Sequence, residues 1–463
     1  MSAHDYTFAF DPIGDTFGTV RITDHVKGRS VQFQTAGSDH RLPYRAPHGV
    51  LSQAADLMDL ALAVHIADRS APRRREFPRR IHVRLPVREV DLFAHPATIE
   101  RLSRTLDWFT RDSWTFSFER RYGTRRVAER QVSLYAAFRE SRPTEVALWS
   151  GGLDSFAGLW ARLTHDPDKR YMLVGSGANT MIFRRQADLI RELRSVTHTQ
   201  LDLTQVPLRL HTPHRTARNR HPRTRGFVFM LIGAIVAALE GQQALHIYEN
   251  GIGALNLPFR DAEVGLDHSR AVHPLSLLAV SDLVSHLLGT PFACINPFLF
   301  CTKAELCAPL RGTVGETLMH RTISCDSRRR QPGCPPQCGR CSSCLLRRHA
   351  LAYIGVTDQT QYACTDLADD ADRFVLDLML TQRDRLRTCL QTSDPWLALS
   401  ATYSELVKVV DRTAKASGAS RSDLTVQLMR LYARYVHEWD VVEPRLTLEQ
   451  SLTFTEAAPH TLC

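Results

Sequence analysis

Apolar positions change their spacing twice along the chain. Over residues 1–142, short stretches with partial alternation are interleaved with longer stretches at helical spacing. YTFAFD, TVRITD and SVQFQTA alternate enough to predict strands with one buried face. GVLSQAADLMDLALAVHIADR has apolar residues three and four apart, which predicts an amphipathic helix. RRIHVRLPV predicts a strand, HPATIERLSRTLDWFT a helix and WTFSFERRY a strand. This part reads as an α+β accessory domain, 1–142, for recognition or scaffolding. None of its residues points to catalysis.

From about residue 144 to 320 the strands stop alternating. VALW, YMLVGSG, THTQLDL, ALHIYENG and PFACINPF are apolar runs, separated by the helical SFAGLWARL, FRRQADLIRELRS and GFVFMLIGAIVAALEG and followed by TKAELCAPL. Continuous apolar strands between helices imply a parallel, doubly wound sheet covered on both faces. Ligands of such sheets sit at the carboxyl ends of the strands. Beyond about residue 365, three stretches have helical periodicity: DADRFVLDLMLTQRDRLRTCL, PWLALSATYSELVKVVDRTAKA and SDLTVQLMRLYARYVHEWDVV. The fold class is therefore α/β, with a central domain at 143–362 and a helical C-terminal region at 363–463. No internal repeat is visible.

The 463 residues carry a formal charge of +9, with arginine-rich stretches at 72–80, 214–225 and 328–330. Such runs are phosphate-binding surface or solvated loop. Nucleic acid therefore stays a possible partner that charge alone does not favour. The longest apolar stretch, GFVFMLIGAIVAALEG, is too short and too rich in Gly and Ala to span a bilayer. Met1 is not followed by an apolar signal segment, so a cytoplasmic location is expected.

Between the first two strands of the central domain lies VALWSGGLDSFAGL. Gly151 and Gly152 let the backbone approach a ligand and turn its N–H groups outward. The next helix points its positive end into the same space. Ser150 and Ser155 add hydroxyls. The turn suits a pyrophosphate, and also reads as a plain strand–turn–helix with an N-cap. It is not a Walker A sequence.

Five of the eleven cysteines fall within residues 325–344. Cys338, Cys341 and Cys344 form a C-x2-C-x2-C run, and a fourth thiolate from Cys325 or Cys334 would complete a closed tetrahedral zinc site. Closed sites of this kind are structural. An iron–sulfur cluster or free thiols are the other readings.

SGGLDS resembles the SGGxDS motif of the PP-loop (HUP-like) ATP pyrophosphatases. That resemblance implies ATP, with Mg2+, held at its pyrophosphate end by Ser150, Gly151, Gly152, Leu153, Asp154 and Ser155. CGRCSSCLLRRHALAYIGVTDQTQY resembles the C-terminal zinc segment of the QueC family, the 7-cyano-7-deazaguanine synthases. There the fourth ligand lies upstream, which favours Cys325 over Cys334. NPFLFCTKAEL resembles the Lys-x-Glu helix start of that family and places Lys303 at a phosphate or acyl-adenylate. The resemblance covers about 144–362. It departs from QueC at GSGAN and at YENGIGALNLPFRDAEVGLDHSRAVHP, where QueC carries its deazapurine-recognising loop.

The layout is similar to the QueC-like proteins of bacterial anti-phage cassettes, those of the Qat system and its relatives in one CBASS type. This implies adenylation of a 7-carboxy-7-deazaguanine and transfer of its acyl group to the N-terminal amine of a partner protein. Asp154, Lys303 and Arg225 would then be catalytic. Glu249, Asn250 and Asn256 would meet the base, and Arg270 and His273 the carboxylate. Each also has a plain reading: strand-end turn for Glu249–Asn250–Gly251, loop for His273, solvated cation for Arg225. A nitrile-forming synthase, a tRNA-modifying PP-loop enzyme and an ATP-binding adaptor are the alternative functions.

Overall fold

The computed structural model describes residues 4–11, 18–37, 51–73, 78–122, 126, 144–177, 180–211, 219, 222–260, 270–326, 334–367 and 369–453. The chain opens with β1 (Tyr6–Phe10), β2 (Gly18–Asp24) and β3 (Arg29–Gly37), an antiparallel meander. Helix α1 (Leu51–Ser70) leads to β4 (Arg80–Val87), which lies parallel to β1. Two helices, α2 (Val90–Phe93) and α3 (Pro96–Thr110), precede β5 (Ser113–Arg120), parallel to β4.

The central elements are β6 (Thr144–Leu148), α4 (Leu153–His165), β7 (Arg170–Gly177), α5 (Thr180–Val196), β8 (Leu201–His211), α6 (Arg225–Leu239) and β9 (Ala244–His246). They continue through α7 (Gly251–Leu255), α8 (Pro274–Leu288), β10 (Ala293–Ile295), α9 (Lys303–Cys307), α10 (Val314–Met319) and α11 (Ser342–Tyr353). Their strands run parallel in the order β10-β9-β6-β7-β8. The chain advances from β6 to β8 in one direction, then crosses to β9 on the other side of β6. The order thus reverses between β6 and β9, and ligands collect at such a switch point.

The sheet does not end at β8. Gln34–Gly37 of β3 pair antiparallel with Leu208–His211, so ten strands form one sheet, β10-β9-β6-β7-β8-β3-β2-β1-β4-β5. One apolar core follows it. Phe8, Val83 and Trp114 belong to the same cluster as Val146, Val206 and Ile235.

Helix α1 departs from its expected amphipathic form. It is buried on nearly every side, because it packs against both α6 and β4. Helix α6 is buried at every position except Arg225 and Phe229. The aspartates that give α1 its polar look are internal anchors. Asp56 accepts from the Arg88 and Glu89 backbone at 2.9 Å. Asp59 pairs with Arg88, Arg121 and Arg126.

Asp68 receives Arg79 at 2.6 Å, the Arg223 and Thr224 amides at 2.7 and 2.9 Å, and the Asn219 side chain at 2.9 Å. Burial would raise its carboxyl; Arg79 and Thr224 outweigh that and hold it below the usual range. Arg73 and Arg79 also grip Asp112. These arginines of the 72–80 stretch are therefore structural rather than phosphate-binding or solvated. Residues 328–330 lie outside the described residues. Asp68→Ala leaves Arg79 buried and half-paired, and is expected to cost about 3–5 kcal/mol. Urea unfolding of both proteins measures it.

Two elements differ from expectation. The third central strand starts at Leu201 and runs to His211, later and longer than THTQLDL. PWLALSATYSELVKVVDRTAKA does not form one helix. The C-terminal helices are α12 (Asp370–Leu390), α13 (Pro395–Thr402), α14 (Glu405–Ser417) and α15 (Arg421–Thr453). The break falls at buried Tyr403, which leaves helical dihedrals at φ −126°, ψ 72°. Among the described residues no helix is long and apolar enough to cross a membrane.

Candidate functional site

The glycine turn lies where β6 ends, at the switch point. Gly151 has φ +75°, a conformation that favours glycine. The Gly152 amide donates to Ser150 Oγ at 3.1 Å and the Leu153 amide to Ser324 Oγ at 3.0 Å. Ser150 Oγ and Ser155 Oγ lie 3.0 Å apart. The turn's N–H groups thus meet hydroxyls, which rotate and yield to a stronger anionic acceptor.

Gln186 of α5 braces the turn from behind, donating to Trp149 O at 2.8 Å and Ser150 O at 3.3 Å. Gly175, the first residue of GSGAN, makes room for that amide; a Cβ there would collide with Gln186 Oε1. Residues 178 and 179 of the same segment lie outside the described residues.

Asp154 sits in the first turn of α4 and faces the start of α7 and α9 rather than the turn's amides. Lys303 Nζ lies 2.5 Å from Asp154 Oδ2 and Asn250 Nδ2 2.8 Å from Oδ1. The Asn250 amide also donates to Glu249 Oε1 at 2.9 Å. Burial and the nearby Asp154 charge push the Glu249 carboxyl well above the usual carboxylate range. Burial alone would lower the Lys303 ammonium, but Asp154 and Glu249 outweigh it and keep the group charged. Two carboxyl groups and one ammonium therefore converge beside the glycine turn. Paired carboxylate oxygens of this kind are the donor set that Mg2+ takes. Of its two expected readings Asn250 shows the strand-end turn, its oxygen capping α7 through the Gly253 amide at 2.9 Å, while its amide meets Asp154.

Lys303 is held from the C-terminal region. Thr302 caps α9, and its hydroxyl donates to Glu438 Oε1 of α15 at 2.6 Å. Arg430 of α15 donates to Phe300 O at 3.1 Å and pairs with Glu305 at 2.6 Å. Burial pushes the Glu438 carboxyl up to about 7 from 4.5. Its folded value lies above its unfolded one, so its contribution is full below about pH 4.5 and fades as pH rises through 7. Relative to Glu438→Gln, the wild-type protein is expected to lose up to about 3 kcal/mol between pH 5 and pH 8. Denaturation curves across that range check this; parallel pH profiles would refute it.

The remaining expected residues lie elsewhere. Asn256 is the left-handed C-cap of α7, six residues after the Asn250 N-cap. Arg270 lies over the Trp108 ring, 3.7 Å from its centroid, and His273 caps α8. Arg270, His273 and Asn256 line one cleft, which excludes Asp154, Glu249 and Lys303. Arg225 is exposed at the start of α6, over the Phe229 ring, and lines neither place.

The Sγ atoms of Cys325, Cys338, Cys341 and Cys344 all lie within 4.8 Å of one another. The 338–344 and 325–341 pairs are 4.0 Å apart. Zinc–thiolate bonds of about 2.3 Å place tetrahedral sulfurs roughly 3.8 Å apart, so the four cysteines fit Zn2+. Cys334 is outside the group. The Ile323 amide donates to Gly151 O at 3.2 Å and Ser324 meets Leu153, so the cysteine segment touches the glycine turn directly. Ser324, Gln186 and Glu438 were not singled out from sequence. Only Ser324, beside Cys325, had a signal to follow.

No model of a protein family matches the chain. It is 26% identical over 233 residues to the 7-cyano-7-deazaguanine synthase of Acinetobacter baylyi, a match covering 48% of this chain and 96% of that protein. This distant similarity supports a QueC-like core within a chain twice as long.

Proposed function

We propose that the chain is an ATP-dependent, AMP-forming enzyme of the QueC type that joins a 7-deazaguanine carboxylic acid to an amine. The observation that carries this reading is the glycine turn at the β6/β9 switch point, with Asp154, Glu249 and Lys303 grouped beside it. The carboxylate oxygen attacks the α-phosphorus of ATP and pyrophosphate leaves. The amine then attacks the acyl carbon, loses a proton, and AMP leaves.

Ser150, Gly151, Gly152, Leu153 and Ser155 would take the pyrophosphate oxygens. Asp154 and Glu249 would hold Mg2+, which supplies charge neutralisation on the phosphates. Lys303 would stabilise charge that grows on them in the transition state. Zn2+ in the four cysteines would fix the segment that presents Ser324 to the turn. The amine proposed is the N-terminus of a partner protein from the same anti-phage cassette, with the long chain beyond the QueC-like part available to dock it.

A second reading, nitrile formation through a second activation, is favoured by the name of the Acinetobacter relative. Mass spectrometry of a reaction with ATP, Mg2+, ammonium and 7-carboxy-7-deazaguanine separates the two. Amide or adenylate with AMP and no nitrile supports amide formation. Nitrile with AMP overturns it. Absence of AMP overturns both.

A further inference from the structure

The cleft that receives Arg270 and His273 has a volume of about 200 Å³ and lies where three parts of the chain meet. Trp108 and Arg111 come from the end of α3. Glu405 and Lys408 come from α14, outside the stretch that resembles QueC. Arg111, Arg270 and Lys408 bring three cations against the single carboxylate of Glu405. His273 adds none, since burial and Arg270 push its imidazole down to about 3. The cleft therefore favours an anion.

Its geometry narrows the class further. Arg270 donates to Trp108 O at 2.9 Å while lying over the Trp108 ring, so its guanidinium plane is fixed. Fixed guanidinium planes stack on heteroaromatic rings. His273 Nδ1 accepts the Leu275 amide at 3.2 Å, so the ring proton sits on Nε2, 3.3 Å from Glu405 Oε1. That contact and Arg270 Nη2, 3.8 Å from Glu405 Oε2, orient Glu405, whose side chain stays 39% exposed. A fixed carboxylate pairs with two adjacent N–H donors. A guanine-type ring offers two, at N1 and the 2-amino group. Adenine presents an acceptor at N1 and would meet Glu405 with repulsion.

The volume suits one bicyclic ring and is too small for a folded peptide segment. Asn250 and Asn256 cap opposite ends of α7, so the cleft lies about 9 Å along that helix from the Asp154 group.

We propose that this cleft is the site of the planar acid, with Glu405 reading its guanine-type edge and Arg111 and Lys408 drawing its carboxylate. The proposal rests on the reaction given above and adds the residues that select the substrate. Trp108, Arg111, Glu405 and Lys408 become specificity residues, all four outside the QueC-like stretch.

Calorimetric titration of the full chain with 7-carboxy-7-deazaguanine, without ATP, tests it. Glu405→Gln is expected to weaken binding by about 10-fold or more, with ATP affinity unchanged. An analogue lacking the 2-amino group should bind the wild-type protein about 10-fold more weakly, and that discrimination should vanish in Glu405→Gln. A folding defect would not remove discrimination selectively. No binding of the acid, equal binding by both proteins, or competition by ATP for the cleft would overturn the proposal. AMP formation read in parallel separates the two claims. Turnover with an unchanged KM for the acid in Glu405→Gln sinks the cleft and spares the reaction. Discriminating binding without AMP sinks the reaction and spares the cleft.

Discussion

Lys303→Met is expected to slow AMP formation by about 100- to 1,000-fold while the protein still binds the acid. The ammonium lies 2.5 Å from Asp154 and is buried, 5% exposed, beside the glycine turn. It is charged before ATP arrives and needs no reorganisation when charge develops on the phosphates, which is the condition for a large electrostatic contribution. The substitution keeps the aliphatic length but leaves Asp154 and Glu249 facing each other without a cation. Stability therefore falls too, and the unfolding curve must be recorded. Lys303→Met with Asp154→Asn removes that imbalance and should recover stability without recovering rate. Recovery of both would show that Lys303 acts only through the fold. Single-turnover assays, with AMP quantified by chromatography, give the rates.

Metal content gives the second large effect. The purified protein is expected to hold one Zn2+ per chain. Cys325→Ser, Cys338→Ser and Cys341→Ser should each lose it, and Cys334→Ser should keep it. Cys344 is fully buried, so Cys344→Ser is expected to be the most damaging. Structural zinc binding is worth about 10–16 kcal/mol in isolated zinc-finger peptides, so most of a domain's stability rides on such a site. Here the loss should spread to the glycine turn, because Ser324 and Ile323 join the cysteine segment to Leu153 and Gly151. Elemental analysis and thermal melts before and after chelation measure both. Full metal retention in Cys325→Ser would replace Cys325 as the fourth ligand.

The legible parts of the sequence were those where one local signal decides the structure. The apolar runs of β6 and β7, the glycine pair and the cysteine spacing each prescribe their own neighbourhood. Other features depend on tertiary partners. α1 has the pattern of a surface helix, yet it packs between α6 and β4, and Arg79, Arg88 and Arg126 neutralise its aspartates. A heptad pattern cannot distinguish a buried, ion-paired aspartate from a solvated one. The one-turn helix α7 is too short for periodicity to reveal. Glu438 reaches Thr302 from 136 residues away, a relation no window contains. Asn250 was expected beside the base and instead meets Asp154.

The pairing of β3 with β8 also sets an order of events during synthesis. Gly37 meets Leu208, about 170 residues later in the chain. At about 5–20 residues per second, the ribosome exposes the β3 edge for roughly 10–30 s before its partner exists. Over that interval β1–β3 form a meander with an open backbone edge, the kind of surface that recruits strands from other nascent chains. Arg29 and the glutamines of RSVQFQTAG keep that edge polar. Translation speed between residues 37 and 208 should therefore govern how much of this chain reaches the soluble fraction.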